Sequence, residues 1–404
     1  MTKKDKIIKE ISTALSYILV AVLSVVITLA LTTGTSGGYV YNGNNKLEQL
    51  MTLLKQYYID IDKVDMEALE KAVEDAAANA MVNGLGDRWS YYISAEDFAD
   101  MQEQSTNSYV GIGVTVEVRE DNNGFTITQV EPGGSAQAAG IRPGDVLIGA
   151  AGVSFAGKDI SICREYVRGA AGTKVTVEIL RDGETISFEL TRQVIQVQVA
   201  SGQMLPGNIG LVTIRNFNER CAEESKLAIS ALLNQGATSL IFDVRNNPGG
   251  YKHELVELLD YLLPQGKLFI SRDYRGVEDT DWSDAKCLEM PMAVLVNGNS
   301  YSAAEFFAAA LREYEWATVV GDPTCGKGNF QYTFQLPDGS GVGLSVGKYF
   351  TPKGVSLADQ NGLVPDEKVE IDEQLAAEIY AGLVAPLDDP QIQAAIKVLT
   401  EGAK

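Results

Sequence analysis

The sequence predicts a multidomain α/β chain in four parts: an N-terminal transmembrane helix, a helical segment, a small β-rich barrel with two helices, and an α/β core. Three observations carry this. An uncharged apolar run stands near the N-terminus, short alternating strands broken by glycine turns follow a helical pattern, and the remainder alternates apolar strands with helices. The 404 residues exceed what one core usually fills, about 250 to 300 residues. Acidic residues outnumber basic ones by 54 to 33, which argues against a nucleic-acid partner because phosphate binding needs a positive patch.

The first ten residues, MTKKDKIIKE, hold four lysines and precede ALSYILVAVLSVVITLAL. That run carries no charge and spans roughly 27 Å as a helix, close to the thickness of a bilayer core. Lysines before it and none just after it place residues 1–11 in the cytoplasm, residues 12–33 across the membrane and the rest outside the cell membrane. A cleaved signal peptide is the alternative, although the run is long for one and no small-x-small site follows. Residues 34–46 read as a linker. The cysteines (Cys163, Cys221, Cys287, Cys325) are scattered with no CxxC and there is one histidine, so no metal site is expected. An extracytoplasmic compartment permits disulfides, but the sequence does not pair them.

Residues 47–104 form a helical region, in which LEQLMTLLKQYYID and MEALEKAVEDAAANAMVNGLG repeat apolar residues at three and four. Between about 105 and 192, GIGVTVEV, GFTITQV, DVLIGAAG, TKVTVEIL and ETISFEL read as strands, with short helices at GSAQAAG and ISICREYVRG. From 193 to 370, NIGLVTIRNF, SLIFDVRNN and MAVLVNG read as buried strands and CAEESKLAISALLNQG, HELVELLDYLL and AAEFFAAALREY as helices. This alternation predicts a substantially parallel sheet, and the glycine-rich LPDGSGVGLSVGKYFTPKG reads as late strands and turns. Residues 371–404 close the chain as a helical region.

Three segments of the core carry candidate chemistry. In IFDVRNNPGG a strand runs into a Pro-Gly-Gly turn before a helix, which leaves backbone N–H groups free for an oxyanion, or is simply a tight turn. In NGNSYSAAEFF a strand ends at two serines, Ser300 and Ser302, before another helix. Ser302 is placed as a nucleophile would be, but Ser302-Ala-Ala-Glu305 also fits a capping box. In GDPTCGKGNFQ, glycines flank Lys327, either an ordinary solvated lysine or a base whose pKa burial has lowered. A serine/lysine pair is a recognised substitute for a histidine-containing triad. The lone His253 lies just past the glycine pair with nothing evident to orient it.

YVGIGV, EPGGSAQAAGIRPGDVLIGAAGV and VRGAAGTKVTVEILRDG resemble a PDZ domain of the bacterial protease-associated kind. With the three core segments in this order behind it, and with LGDRWSYYISAEDF, VGKYFTPKGVSLADQNGLVPDEKVE and DPQIQAAIKVL, the chain resembles the C-terminal processing peptidases, or tail-specific proteases, of serine peptidase family S41. The resemblance implies an S41-type α/β protease core with Ser302 as nucleophile, Lys327 as general base and Gln331 orienting the lysine. It implies oxyanion donors at the Gly249 and Ala303 N–H groups, and a PDZ loop at Gly111, Ile112 and Gly113 that binds a peptide carboxylate. No cofactor is implied. The partners implied are unfolded or tagged proteins bound by their C-termini, the membrane, and a second copy in a homodimer. Tyr301 stands where the family has a small residue and Cys325 where it commonly has an aromatic. The rival expectations are an inactive PDZ-containing receptor or scaffold of the same fold, and a crotonase-like acyl enzyme.

Overall fold

A computed structural model of the chain describes residues 46–401. The expected anchor at 12–33 lies outside the described residues. Among those described, no helix is long and apolar enough to cross a membrane.

The chain divides into two compact units after Ala76. The first holds α1 (Lys46–Tyr57) and the start of α2 (Met66–Asn83), joined by a 3-10 turn at Ile61–Lys63. Asp65 starts α2 by accepting the N–H groups of Glu67 and Ala68, both at 3.1 Å, two of the donors that a helix start leaves orphaned. Lys55 pairs with Glu70, and Leu50 and Leu54 of α1 remain exposed.

The second unit begins with β1 (Tyr91–Ile93) and α3 (Ala95–Ser105), whose Ser94 cap accepts the Asp97 N–H. A β-rich domain follows: β2 (Ser108–Gly111), β3 (Val114–Val118), β4 (Phe125–Val130), α4 (Ser135–Ala138), β5 (Val146–Ala150), β6 (Val153–Ser154), α5 (Ile160–Val167), β7 (Lys174–Arg181) and β8 (Glu184–Thr191). The antiparallel order β3-β4-β5-β7-β8 packs Phe125, Ile127, Leu147, Val177 and Ile179 into one core. The β7–β8 turn, Asp182-Gly183, has φ of +51° and +84°, as a two-residue hairpin with the right twist requires. β9 (Gln193–Gln196) pairs with β2, so a ladder closes the domain across the expected boundary at 192.

The remainder comprises β10 (Ala200–Leu205), β11 (Ile209–Ile214), α6 (Cys221–Asn234), β12 (Ser239–Asp243), α7 (Lys252–Leu262), β13 (Gly266–Asp273), β14 (Glu278–Ser283), β15 (Met292–Val296), α8 (Ala303–Glu313), β16 (Ala317–Gly321), β17 (Asn329–Gln335), β18 (Gly341–Phe350), β19 (Glu367–Lys368), α9 (Glu373–Tyr380) and α10 (Pro390–Glu401). One sheet runs β10-β11-β12-β15-β16-β19, parallel except for β10. α6, α7 and α8 contribute to the core on one face, while Ile392, Ala395 and Leu399 of α10 pack with Ile241, Ala293 and Leu295. Burial on both faces is why the inner strands β11, β12 and β15 are almost continuously apolar rather than alternating.

A second, antiparallel sheet was not foreseen. Its order is β1-β18-β13-β14, with β17 also on β18. The late strands and turns expected at LPDGSGVGLSVGKYFTPKG cover β18, whereas β14 mixes charged and polar residues without a period and the polar–aromatic alternation of β17 does not say which strand it pairs with. All four cysteines are free thiols.

Candidate active site

The three candidate segments converge because each leaves the C-terminal end of a neighbouring parallel strand, β12, β15 or β16, where α/β sheets place their ligands. Asparagines stitch the first two loops together. The Asn246 N–H donates to Asn297 Oδ1 (2.9 Å), the Tyr301 N–H to the Asn247 carbonyl (2.9 Å), and Asn247 Nδ2 to the Ile214 carbonyl (2.8 Å). Arg245 anchors the first loop from below: it is 6% exposed and pairs with Asp243 and with Asp389 at the start of α10. Carboxylates on two sides hold its guanidinium charged despite burial.

The two serines separate clearly. Ser300 is wholly buried, and its hydroxyl donates to the Val244 carbonyl (2.8 Å) and accepts the Asn297 N–H (3.0 Å), so it is structural. Ser302 is half-buried at the head of α8 with φ +52° and ψ −117°, a backbone state that costs a non-glycine residue about 1–3 kcal/mol. The capping-box approaches with Glu305 are both present, but the Ser302 hydroxyl makes no side-chain cap hydrogen bond. A strained strand-to-helix turn that lifts a serine is how nucleophile elbows expose their hydroxyl.

Gly249 lies directly against this turn. Its φ is +88°, and a Cβ built there would sit 3.0 Å from Ser302 Cβ and 3.1 Å from the Ala303 nitrogen. The Ala303 N–H has no acceptor among the described residues, whereas the Gly249 N–H donates to Asn247 Oδ1 (2.9 Å). Gly249→Ala is therefore expected to displace the Ser302 turn and lower kcat by about 100-fold or more, the usual cost of misplacing a reacting group by about 1 Å. Steady-state kinetics beside an unchanged far-UV spectrum would check this, and an undiminished kcat would refute it.

Glu305 binds the second and third segments together. Its fully buried carboxylate accepts the Ser302 N–H (2.8 Å), the Lys327 N–H (2.8 Å), the Gly326 N–H (2.7 Å) and the Thr324 hydroxyl (2.5 Å). One residue thus fixes the backbones of both Ser302 and Lys327. Gly326, with φ +83°, is pressed against the Asn361-Gly362 backbone, where a Cβ would meet the Gly362 nitrogen at 2.8 Å. Burial pushes the Lys327 amine below the ordinary lysine range, against smaller opposing pulls from Cys325 and Glu305. No hydrogen bond joins Lys327 Nζ to Ser302 Oγ; what links the two residues is the Glu305 carboxylate between their backbones. Burial and then Glu305 push the Cys325 thiol up, which keeps it protonated at neutral pH.

Other expected residues sit differently. Gln331 Nε2 donates to the Asn329 carbonyl and to Ser345 Oγ, both at 3.2 Å, and makes no hydrogen bond to Lys327. His253 is exposed on α7, stacked on Tyr251, with its Nε2 3.7 Å from Glu254, whose carboxylate is already engaged by the Arg220 and Ala222 N–H groups. In the β-rich domain, the Ile112 and Gly113 N–H groups have no acceptor among the described residues, and Gly113 has φ +82°. They open onto a groove of about 290 Å³ floored by Ile112, Leu147, Cys163 and Val167 between β3 and α5. Among the described residues no cluster of His, Cys, Asp or Glu could hold a metal.

Sequence reasoning missed Trp89, whose ring lies 5.2 Å from Lys327 Nζ and edge-on to Tyr301 (6.4 Å), and saw Glu305 only as a helix cap. The signal for Trp89 was its place in a segment similar to the family's, which carries no mark of proximity.

A strained serine over a glycine turn, tied through one carboxylate to the backbone of a half-buried lysine at the C-terminal ends of an α/β sheet, is the geometry of a candidate hydrolase site, and it is joined to a separate β-domain with an apolar groove. Residues 208–369 match peptidase family S41 and residues 126–181 match the PDZ domain. The chain is 30% identical over 357 residues to the carboxyl-terminal-processing protease of Synechocystis, covering 87% of this chain and 81% of that protein. It is 32% identical to the carboxy-terminal processing protease CtpA of Bacillus subtilis, covering 81% of this chain and 70% of the relative. A solved S41 protease structure from Bacteroides fragilis shares the fold at TM-score 0.50 and 16% identity, covering 80% of this chain and 88% of that one. The chain belongs to peptidase family S41 and is a C-terminal processing serine peptidase with a PDZ domain.

Proposed function

We propose that the chain is a membrane-anchored, extracytoplasmic endopeptidase that cleaves protein substrates with a Ser302/Lys327 dyad after its PDZ domain has taken hold of their C-termini. The observation that carries the dyad is the shared Glu305 carboxylate, which sets the backbone of the candidate nucleophile and that of the candidate base at 2.8 Å from one group. Neutral Lys327 accepts the Ser302 proton as Oγ bonds to the peptide carbonyl. The resulting ammonium returns a proton to the departing amine, and a water activated by the same lysine then releases the acyl group. The Ala303 N–H is ready for the oxyanion, and Gly249 joins it once its N–H turns away from Asn247. The orienting part that the resemblance implies for Gln331 requires its amide to leave the Asn329 carbonyl and Ser345 Oγ and turn toward Lys327.

The PDZ assignment is supported by the uncommitted N–H groups of Ile112 and Gly113 beside an apolar groove, which suit a terminal carboxylate and an apolar last side chain. The apolar run at 12–33 supports the anchor and the outward-facing domains. The exposed leucines of α1 support a homodimer. Nothing at the site favours the inactive scaffold.

A direct test incubates the full-length chain with an unfolded protein ending in apolar residues, with the same tail amidated, and with Lys327→Ala. Cleavage of the free tail, binding weakened about tenfold or more by amidation, and no cleavage by the variant are expected. Equal binding of both tails would remove the carboxylate loop from the account, and cleavage by Lys327→Ala would remove the dyad.

A further inference from the structure

Trp89 belongs to the loop between α2 and β1, far in sequence from both Ser302 and Lys327. The loop is clamped onto the second sheet: Asp87 accepts the Trp89 N–H (3.1 Å) and the Ser90 hydroxyl (2.6 Å), Ser90 Oγ accepts the Ser345 N–H of β18 (3.0 Å), and Tyr91 pairs with Gly343. Held this way, the half-buried indole meets three parts of the site at once. Lys327 Nζ lies 5.2 Å from its ring centre, the Tyr301 ring stands edge-on to it, and the Arg88 guanidinium lies over it at 4.2 Å while donating to Cys325 Sγ (3.3 Å).

We infer that Trp89 is a positioning residue for the peptidase reaction, a cover that keeps water from the Lys327 amine and so sets the pH at which the lysine becomes a base. The inference rests on the dyad proposed above. Two effects of the ring oppose one another. Its π face favours the ammonium form, while its bulk excludes the water that would solvate that form. The distance of 5.2 Å is near the outer reach of a cation–π contact, and burial is the largest influence on this amine, so exclusion of water wins. The titratable groups that act on the amine are Glu305 from α8 and Cys325 from its own loop, while Arg88 and Tyr301 meet the Trp89 ring itself. Glu305 and Cys325 both pull the amine's pKa up by less than burial pushes it down, and both remain in place when the ring is removed, so a change in solvation at the ring shows as a shift of the lysine.

The sign follows. Lys327 works as a base above its folded pKa, so kcat/KM falls as pH drops through that value. Trp89→Ala admits water, raises the pKa and moves this acid limb to higher pH by about one unit. Trp89→Phe keeps an apolar cover and leaves the limb within a few tenths of a unit. Trp89→Gln, a milder change for folding, shifts in the same direction as Trp89→Ala.

The experiment measures kcat/KM against pH for the full-length chain and these variants on one peptide substrate, with Ser302→Ala alongside. An alkaline shift in Trp89→Ala or Trp89→Gln, absent in Trp89→Phe, is the expected result. A rate reduced equally at every pH with the limb unmoved marks a purely structural tryptophan and overturns the inference, as does a shift to lower pH. If Ser302→Ala still cleaves, the dyad itself fails. If it is inactive and the limb of Trp89→Ala stays put, only the role of Trp89 fails.

Discussion

Ser302→Ala is expected to abolish turnover, lowering kcat by about 10⁴-fold or more while leaving the binding of C-terminal tails unchanged. The size follows from what the residue supplies. Removing a nucleophile leaves only positioning and oxyanion stabilisation, and members of such a unit are not additive, so Lys327→Ala should cost nearly as much and the double variant little more. Ser300→Ala should behave in the opposite way. Its buried hydroxyl joins the Val244 carbonyl to the Asn297 N–H, so its loss should lower the unfolding midpoint more than kcat. Kinetics and thermal melts on the three single variants distinguish the serines. A Ser302→Ala variant that retains turnover would sever this structure from the activity.

Glu305→Ala should damage stability and catalysis together. Four donors converge on one carboxylate that is 0% exposed, and each becomes an unsatisfied buried or half-buried group when it is removed. Hydrogen bonds to a charged group contribute about 1.5–3 kcal/mol each and are not additive here, so a loss of at least about 3 kcal/mol is expected in denaturant titrations. The Ser302 and Lys327 backbones would then be free to separate, and kcat/KM should fall about 10³-fold or more. Glu305→Gln distinguishes shape from charge: its amide turns a donor toward N–H groups that are themselves donors, so it should recover little. If Glu305→Gln were fully active, the carboxylate would be a helix cap and nothing further.

The core sheet was legible because strands buried on both faces leave unbroken apolar runs such as MAVLV, and the β-domain was legible because its turns demand glycine at set positions. The second sheet was legible only in part: its late strands were, but β14 (EDTDWS) mixes charged, polar and aromatic residues, and the polar–aromatic alternation of β17 (NFQYTFQ) does not say which strand it pairs with. The start of α6 shows the same limit. Arg220 at its head makes no side-chain cap bond, and the acceptors come instead from Glu254 on α7, a tertiary supply that no local pattern records. At the site, Ser302, Lys327 and the glycine turn stood out as local motifs, and the structure adds what holds them. Glu305 could be read as a cap because three-residue spacing allows it. Its reach to Lys327 depends on β16 lying beside β15, a fact of topology rather than spacing. Gln331 shows the reverse case, a residue named by resemblance whose side chain engages Ser345 in place of the lysine.

The central claim, that Ser302 is the nucleophile activated by Lys327, is tested most directly by covalent labelling of the full-length chain with a fluorophosphonate, followed by mass mapping of the modified residue. The account predicts one adduct, on Ser302 and not Ser300, formed faster as pH rises through a value below the ordinary lysine range and absent in Lys327→Ala. An adduct on another residue, labelling of Ser302 that is indifferent to Lys327, or cleavage by a chain that takes no label would contradict it.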